Sequence, residues 1–281
     1  MRSKSFSSVV KKYKAVLLDS YGVIKNHHGV IMGAANTIEK LRADGKLIRI
    51  LTNDASKTAA KQVEQFRRLG LKDVVEEEII TSGMMAKHYL QSKKTKGLIA
   101  YLGTPAAAQD ILDAGMSTIH ISEVNGDNID SIGAMVYLDD EGFDWNKDIN
   151  RSLNLLRHRS IPAVVANSDQ IYPVSRNEVS IATGGIAKLV EATLGREFIH
   201  FGKPDSQMFM HAFVQLNAEK KIEKSDILMV GDTLHTDILG GNKFGISTAL
   251  VLSGNTRTAN VKVNIKATGI IPDFICDSIA T

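Results

Sequence analysis

Short apolar runs that end on a polar tip and lead into a helix-period pattern recur along this chain, and no other feature limits its fold as strongly. "KLIRILTN" (46–53) reads as a strand and "DASKTAAKQVEQFRRLG" as the helix after it. In that helix Ser56 is placed to cap the N-terminus, Val63, Phe66 and Leu69 share one face, and Gly70 supplies a left-handed stop. The same grammar returns in "KAVLLDSYGVI", "GLIAYLG" (97–103), "AMVYLDD" (134–140), "SIPAVVANSD" (160–169), "DILMVGD" (226–232), "STALVL" (247–252) and "DFICDS" (273–278). "AAAQDILDAG" reads as a helix leading to the strand "TIHIS". Strands alternating with helices imply βαβ units and a mostly parallel α/β sheet. Ligands of such sheets sit at the carboxyl ends of the strands, so the residues there are the first candidates for chemistry. They are Asp19, Thr52 with Asn53, Asp139 with Asp140, Asn167 to Asp169, and Asp232.

Composition narrows the function. With 281 residues, 43% hydrophobic and 23% charged, the chain suits a folded core in one large or two smaller domains. A net charge of +3, with no basic stripe interleaved with aromatics, argues against a nucleic-acid partner. The single cysteine, Cys276, excludes an internal disulfide framework and a cysteine zinc cluster, and fits a reducing compartment. The basic N-terminus lacks the hydrophobic segment of a secretory signal, and no apolar run is long enough to span a bilayer. A cytoplasmic protein with no membrane partner is expected. Neither G-x-G-x-x-G nor G-x-x-x-x-G-K-[ST] occurs, so no dinucleotide or P-loop fingerprint is present.

Four pieces carry a shared chemistry. Asp19 stands at a strand end before a Gly-containing turn. Thr52 and Asn53 end a strand just before a helix N-terminus, whose free N–H groups and positive dipole end suit a phosphate. Lys203, held between Gly202 and Pro204, is a fixed cation that can neutralise phosphoryl oxygens. Asp232 ends another strand and Asp237 follows five residues on, a carboxylate pair suited to Mg²⁺, which takes a few protein oxygens and keeps waters. Together they describe phosphoryl transfer through an aspartyl intermediate, with charge stabilised by Mg²⁺ and Lys203.

The ordered set "LLDSYGVI", "LTND", "FGKPD" and "GDTLHTDILGG" resembles the four motifs of the haloacid dehalogenase superfamily. "TNDASKT", the segment "FDWNKDINRSLNLLRHRSIPAVVANSDQIYPV", "GNKFGISTALVLSG" and "PDFICDSI" extend the likeness to the class IIA sugar-phosphate and nitrophenyl-phosphate phosphatases, over roughly residues 14–279. The resemblance implies a doubly wound, Rossmann-like core of residues 1–83 and 184–281 and an inserted α/β cap of residues 84–183. It also implies a Mg²⁺-dependent phosphatase acting on a small phosphorylated metabolite. Asp19 would be nucleophile and metal ligand, Asp232 and Asp237 metal ligands, and Tyr21 a ligand through its carbonyl. Thr52 and Asn53 would hold the phosphoryl oxygens, and Lys203 would orient and neutralise. A homodimer is compatible with the subgroup.

The departure lies at Tyr21, where phosphatases of the superfamily usually carry a second aspartate as general acid and base. A phenol with a reference pKa near 10 is poorly matched to moving protons in both directions, and losing a positioned acid/base typically lowers rates about 10²–10⁴-fold. A binding or regulatory protein with little turnover is therefore the rival reading. Tyr at this position also resembles the metal-free haloalkanoic acid dehalogenases, but the paired Asp232 and Asp237 and an insertion placed after the second motif speak against them. His27 and His28 are left without a role. Asp139 and Asp140 read as a polar strand end, and Asn167, Asp169 and Tyr172 as candidates for substrate contact.

Overall fold

A computed structural model of the chain describes residues 3–175 and 178–280. Contacts divide it into one unit of Met1–Thr52, Lys61–Ile80 and Lys203–Thr281, and a second of Asn53–Ala60 and Thr81–Gly202.

The first unit is built on a six-stranded sheet in the order Phe274–Cys276, Ser247–Val251, Ile227–Gly231, Ala15–Leu18, Leu47–Thr52, Ile79–Thr81. Ala15–Leu18 is parallel to both of its neighbours, with Leu18 opposite Val230 and Ile50. Every residue of Ala15–Leu18 and Ile227–Gly231 is buried, which is why these strands read as unbroken apolar runs and not as alternating ones. Each such Val, Leu or Ile contributes about 1.5–3 kcal/mol by leaving water. From Ala15–Leu18 the chain steps outward through Leu47–Thr52 to Ile79–Thr81, and later returns to build the other half of the sheet. The order reverses between Ala15–Leu18 and Ile227–Gly231, and a doubly wound sheet opens its ligand crevice at such a switch point.

The second unit has a five-stranded sheet in the order Ile199–His200, Ala163–Val165, Ile132–Tyr137, Leu98–Leu102, Thr118–His120, parallel throughout. Its core gathers Leu102, Met135, Tyr137, Leu155, Val165, Ile186 and Val190. Thr183–Leu194 supplies Ile186, Ala187 and Val190 to that core, and Ile199–His200 pairs with Ala163–Val165. The contacts therefore carry the inserted unit to Gly202, beyond the expected end at 183, and add residues 53–60 to it.

The helix expected to be capped by Ser56 begins only at Ala59 and runs to Arg68. Asp54 is the reason. Its carboxylate accepts both the Ser56 main-chain N–H (2.9 Å) and the Ser56 hydroxyl (2.6 Å), an Asx turn that delays the helix. Among the described residues no helix is long and apolar enough to cross a membrane.

Candidate active site

Asp19 follows the Ala15–Leu18 strand, and its main-chain N–H continues the ladder to Val230 at 2.9 Å. That bond sets the two neighbouring strand tips side by side, so Asp19 and Asp232 emerge together at the switch point. Past Asp232 the chain turns through Leu234–Ile238 as a wide helical turn, and Asp237 folds back so that its Oδ2 accepts the Thr233 N–H at 3.2 Å. Asp19, Asp232 and Asp237 each offer an oxygen within 4.8 Å of the others.

Gly22 makes this approach possible. Its φ of +81° is left-handed, and a Cβ there would fall 2.1 Å from Asp232 Oδ2.

Lys203 supplies the cation. Its Nζ lies 2.6 Å from Asp19 Oδ1 and 2.8 Å from Asp237 Oδ1, and donates to the Leu51 carbonyl at 2.8 Å. Two of its protons go to Asp19 and the Leu51 carbonyl, and its charge also faces Asp237. The lysine is 2% exposed, Asp232 1% and Asp237 0%, whereas the Asp19 side chain keeps 14% of its surface open. Asp19 is thus the member of the set that an incoming molecule can reach.

Three buried carboxylates share one ammonium, and the imbalance shows in their titration. Burial, with Asp237 and Asp232 close by, raises the Asp19 carboxyl well above its usual range against the pull of Lys203. Burial and then Asp237 push Asp232 up to about 7, opposed by the Asn255 N–H, Thr233 and Lys203. Burial disfavours the charged form of Lys203, but Asp19 and Asp237 outweigh it and its pKa is raised. The Asp237 Oδ1 atom is fully buried and, although beside Lys203, has no hydrogen bond of good geometry. A compact set of hard oxygen donors with excess negative charge fits a small divalent cation.

Tyr21 is half-buried beside this cluster. Burial raises its phenol pKa, the Asp232 charge adds to that, and a hydrogen bond from the His27 main-chain N–H opposes both. The phenol is neutral at pH 7.

The two residues of the sequence-expected phosphate pair fall in different units. Thr52 is buried at the end of its strand in the first unit, and Asn53 falls with the second. There the Asn53 amide donates to Asp169 Oδ1 at 2.9 Å and its carbonyl accepts the Ser82 hydroxyl at 2.8 Å. Asn167 accepts the Asp169 N–H at 2.9 Å, and Tyr172 is hydrogen-bonded to Asp140. His27 and His28 pack ring to ring, 3.9 Å between centroids, at the tip of the Lys25–Asn26 and Gly29–Val30 hairpin.

Sequence reasoning missed the loop 253–256. Ser253 Oγ donates to the Gly22 carbonyl (2.7 Å) and the Asn255 N–H to Asp232 Oδ2 (2.6 Å). The available signal was a cluster of Ser, Gly and Asn directly after a buried strand, a turn that has to cross the neighbouring tip.

A family model described as haloacid dehalogenase-like hydrolase matches residues 16–117, and a second, HAD-hydrolase-like, matches 200–281. The chain is similar to a glycerol-3-phosphate phosphatase of Gallus gallus, 28% identical over 100% of this chain and 94% of that protein. Among solved structures it superposes on a possible sugar phosphatase of the HAD superfamily from Cytophaga hutchinsonii with a TM-score of 0.96, at 48% identity, covering 100% of this chain and 99% of that one. A p-nitrophenyl phosphatase from Archaeoglobus fulgidus shares the fold at a TM-score of 0.83 and 23% identity, over 96% and 97% of the two chains.

Proposed function

The chain belongs to the haloacid dehalogenase superfamily of hydrolases, in the class IIA branch, and we propose that it is a Mg²⁺-dependent phosphatase of a small phosphorylated metabolite. The observation that carries this reading is the close trio Asp19, Asp232 and Asp237, two of them paired with Lys203 and Asp19 the accessible member. The names of the relatives, phosphatases of glycerol 3-phosphate and of sugars, support the same class of substrate.

Asp19, Asp232 and Asp237, with the Tyr21 carbonyl, would hold Mg²⁺, which when bound neutralises the carboxylates and draws charge from the phosphoryl oxygens. Lys203 holds Asp19 Oδ1 and leaves Oδ2 free to attack phosphorus. A bond forms from Asp19 to phosphorus while the bond to the leaving oxygen breaks, and water then displaces Asp19 to release phosphate. Lys203 and Thr52 stabilise the transferring group, and the Asn53 amide is held by Asp169. With a neutral phenol at position 21, the leaving oxygen departs with weak proton assistance, so aryl and acyl phosphates suffer least.

Tyr21 also favours a second reading, a phosphate-binding protein with little turnover, because its hydroxyl is already engaged by His27. Hydrolysis of p-nitrophenyl phosphate with and without Mg²⁺ separates the two. A phosphatase turns over in a metal-dependent way, loses activity in Asp19→Asn by on the order of 10⁵–10⁶-fold, the scale for removing a covalent nucleophile, and speeds up in Tyr21→Asp. No turnover in the wild type, with a gain in Tyr21→Asp, identifies a binding protein on an intact site.

A further inference from the structure

We propose that Thr233 and the loop 253–256 form a hydrogen-bond relay that presets Asp232 for a divalent cation, with Asn255 as its positioning residue. None of these residues belongs to the carboxylate and lysine set, and the inference rests on the reading of Asp232 as a cation ligand.

Ser247–Val251 is the neighbour of Ile227–Gly231, so the loop leaving the first strand passes over the tip of the second. The Asn255 N–H donates to Asp232 Oδ2 at 2.6 Å and the Thr256 N–H to the Asp232 carbonyl at 3.2 Å. The other carboxylate oxygen, Oδ1, accepts the Thr233 hydroxyl at 2.9 Å, and that hydroxyl accepts the Asn255 side-chain amide at 3.1 Å. An amide nitrogen only donates, so the single Thr233 proton is directed onto Asp232. Each Asp232 oxygen therefore receives one donor, which fixes the plane of the carboxylate and leaves lone pairs on both oxygens for a metal.

The main-chain path enforces the same geometry. A Cβ on Gly254 would fall 1.9 Å from Asp232 Oδ2, so the loop reaches its bonding distance only with glycine there. Ser253, one residue earlier, holds the Gly22 carbonyl at 2.7 Å. One loop thereby ties the turn after Asp19 to the carboxylate of Asp232 and sets the spacing between them. Partners that orient a metal ligand from outside its coordination shell typically matter by about 10–100-fold in affinity or activity.

The test is isothermal titration of the full chain with Mg²⁺. Asn255→Ala and Thr233→Val are expected to raise the Mg²⁺ Kd about 10–100-fold. Thr233→Ser, which keeps the hydroxyl, is expected to bind as the wild type does. Asn255 is exposed, so Asn255→Ala is expected to melt at the wild-type temperature, and its p-nitrophenyl phosphate turnover to recover at high Mg²⁺. Wild-type Mg²⁺ affinity in both Asn255→Ala and Thr233→Val, alongside lost binding in Asp232→Asn, overturns the relay and leaves the metal site standing. Undiminished Mg²⁺ binding in Asp232→Asn overturns the metal reading and the relay with it.

Discussion

Both sheets have parallel central strands, both reverse their strand order once, and both carry an acid at the point of reversal. In the first unit the reversal lies between Ala15–Leu18 and Ile227–Gly231, and the tips are Asp19 and Asp232. In the second it lies between Leu98–Leu102 and Ile132–Tyr137, followed by Thr104 and Asp139, whose side chains meet at 3.1 Å. The difference is the counter-charge. Lys203 binds two of the first unit's carboxylates, whereas Asp139 has a hydroxyl and the Asp140 N–H for partners, and Asp140 and Asp54 nearby. Burial, with those neighbours adding to it, pushes Asp139 up to about 6. A switch point makes a place for chemistry, and a buried cation with a closed donor set makes the chemistry.

The largest expected break in this contrast is Lys203→Met. Turnover should fall about 10²–10³-fold, the scale for losing one preorganised charge stabiliser. Without the ammonium the carboxylates are buried uncompensated, so metal-free stability should drop by roughly 3–5 kcal/mol in urea unfolding and partly return with Mg²⁺. Such a variant would turn the first unit's tip into an exaggerated version of the second's.

The next effect is one of pH. Asp232, pushed up to about 7, and Asp19, raised well above its usual range, hold protons that a cation must displace, so Mg²⁺ affinity should strengthen as pH rises. Titrations from about pH 5.5 to about pH 8.5 should show a change of at least about tenfold per pH unit at the acid end, with protons released on binding. A flat profile would mean that Asp232 is ionised throughout.

The smallest effect is Asp139→Asn. A carboxyl with a raised pKa disfavours the folded state where it is charged. That penalty is absent below about pH 4, the unfolded value, and complete above about 6. The substitution should therefore raise the melting temperature at neutral pH and leave it unchanged near pH 4. The gain should be less than about 1 kcal/mol, because water still screens the site. A loss at neutral pH would assign Asp139 a stabilising partner.

What the sequence made legible follows from burial. Central parallel strands are buried on both faces, so Ala15–Leu18 and Ile227–Gly231 announce themselves as apolar runs and their tips can be read off directly. The short strands Ile79–Thr81 and Ile199–His200 offer too few residues to show any period, and the Ile171–Pro173 and Val179–Ile181 hairpin is apolar and largely exposed, contrary to patterning. The helix start at Ala59 was hidden because an aspartate two residues before Ser56 captured its amide. Asn255 was invisible for a different reason. Its contact with Asp232 runs through a main-chain N–H, a group every residue but proline owns, and only the pairing of strands distant in sequence places it there.

The position of the nucleophile strand in the middle of its sheet has a consequence for how the chain is made. Lys203 lies 184 residues beyond Asp19. At about 5–20 residues per second, a nascent chain waits roughly 10–40 s before that lysine is synthesised, and longer for Ile227–Gly231. Throughout that interval Ala15–Leu18, wholly apolar, has one edge without its native neighbour. Open strand edges of that kind recruit other chains. The strand that presents the attacking carboxylate in the finished protein is therefore the segment most in need of shelter on the ribosome.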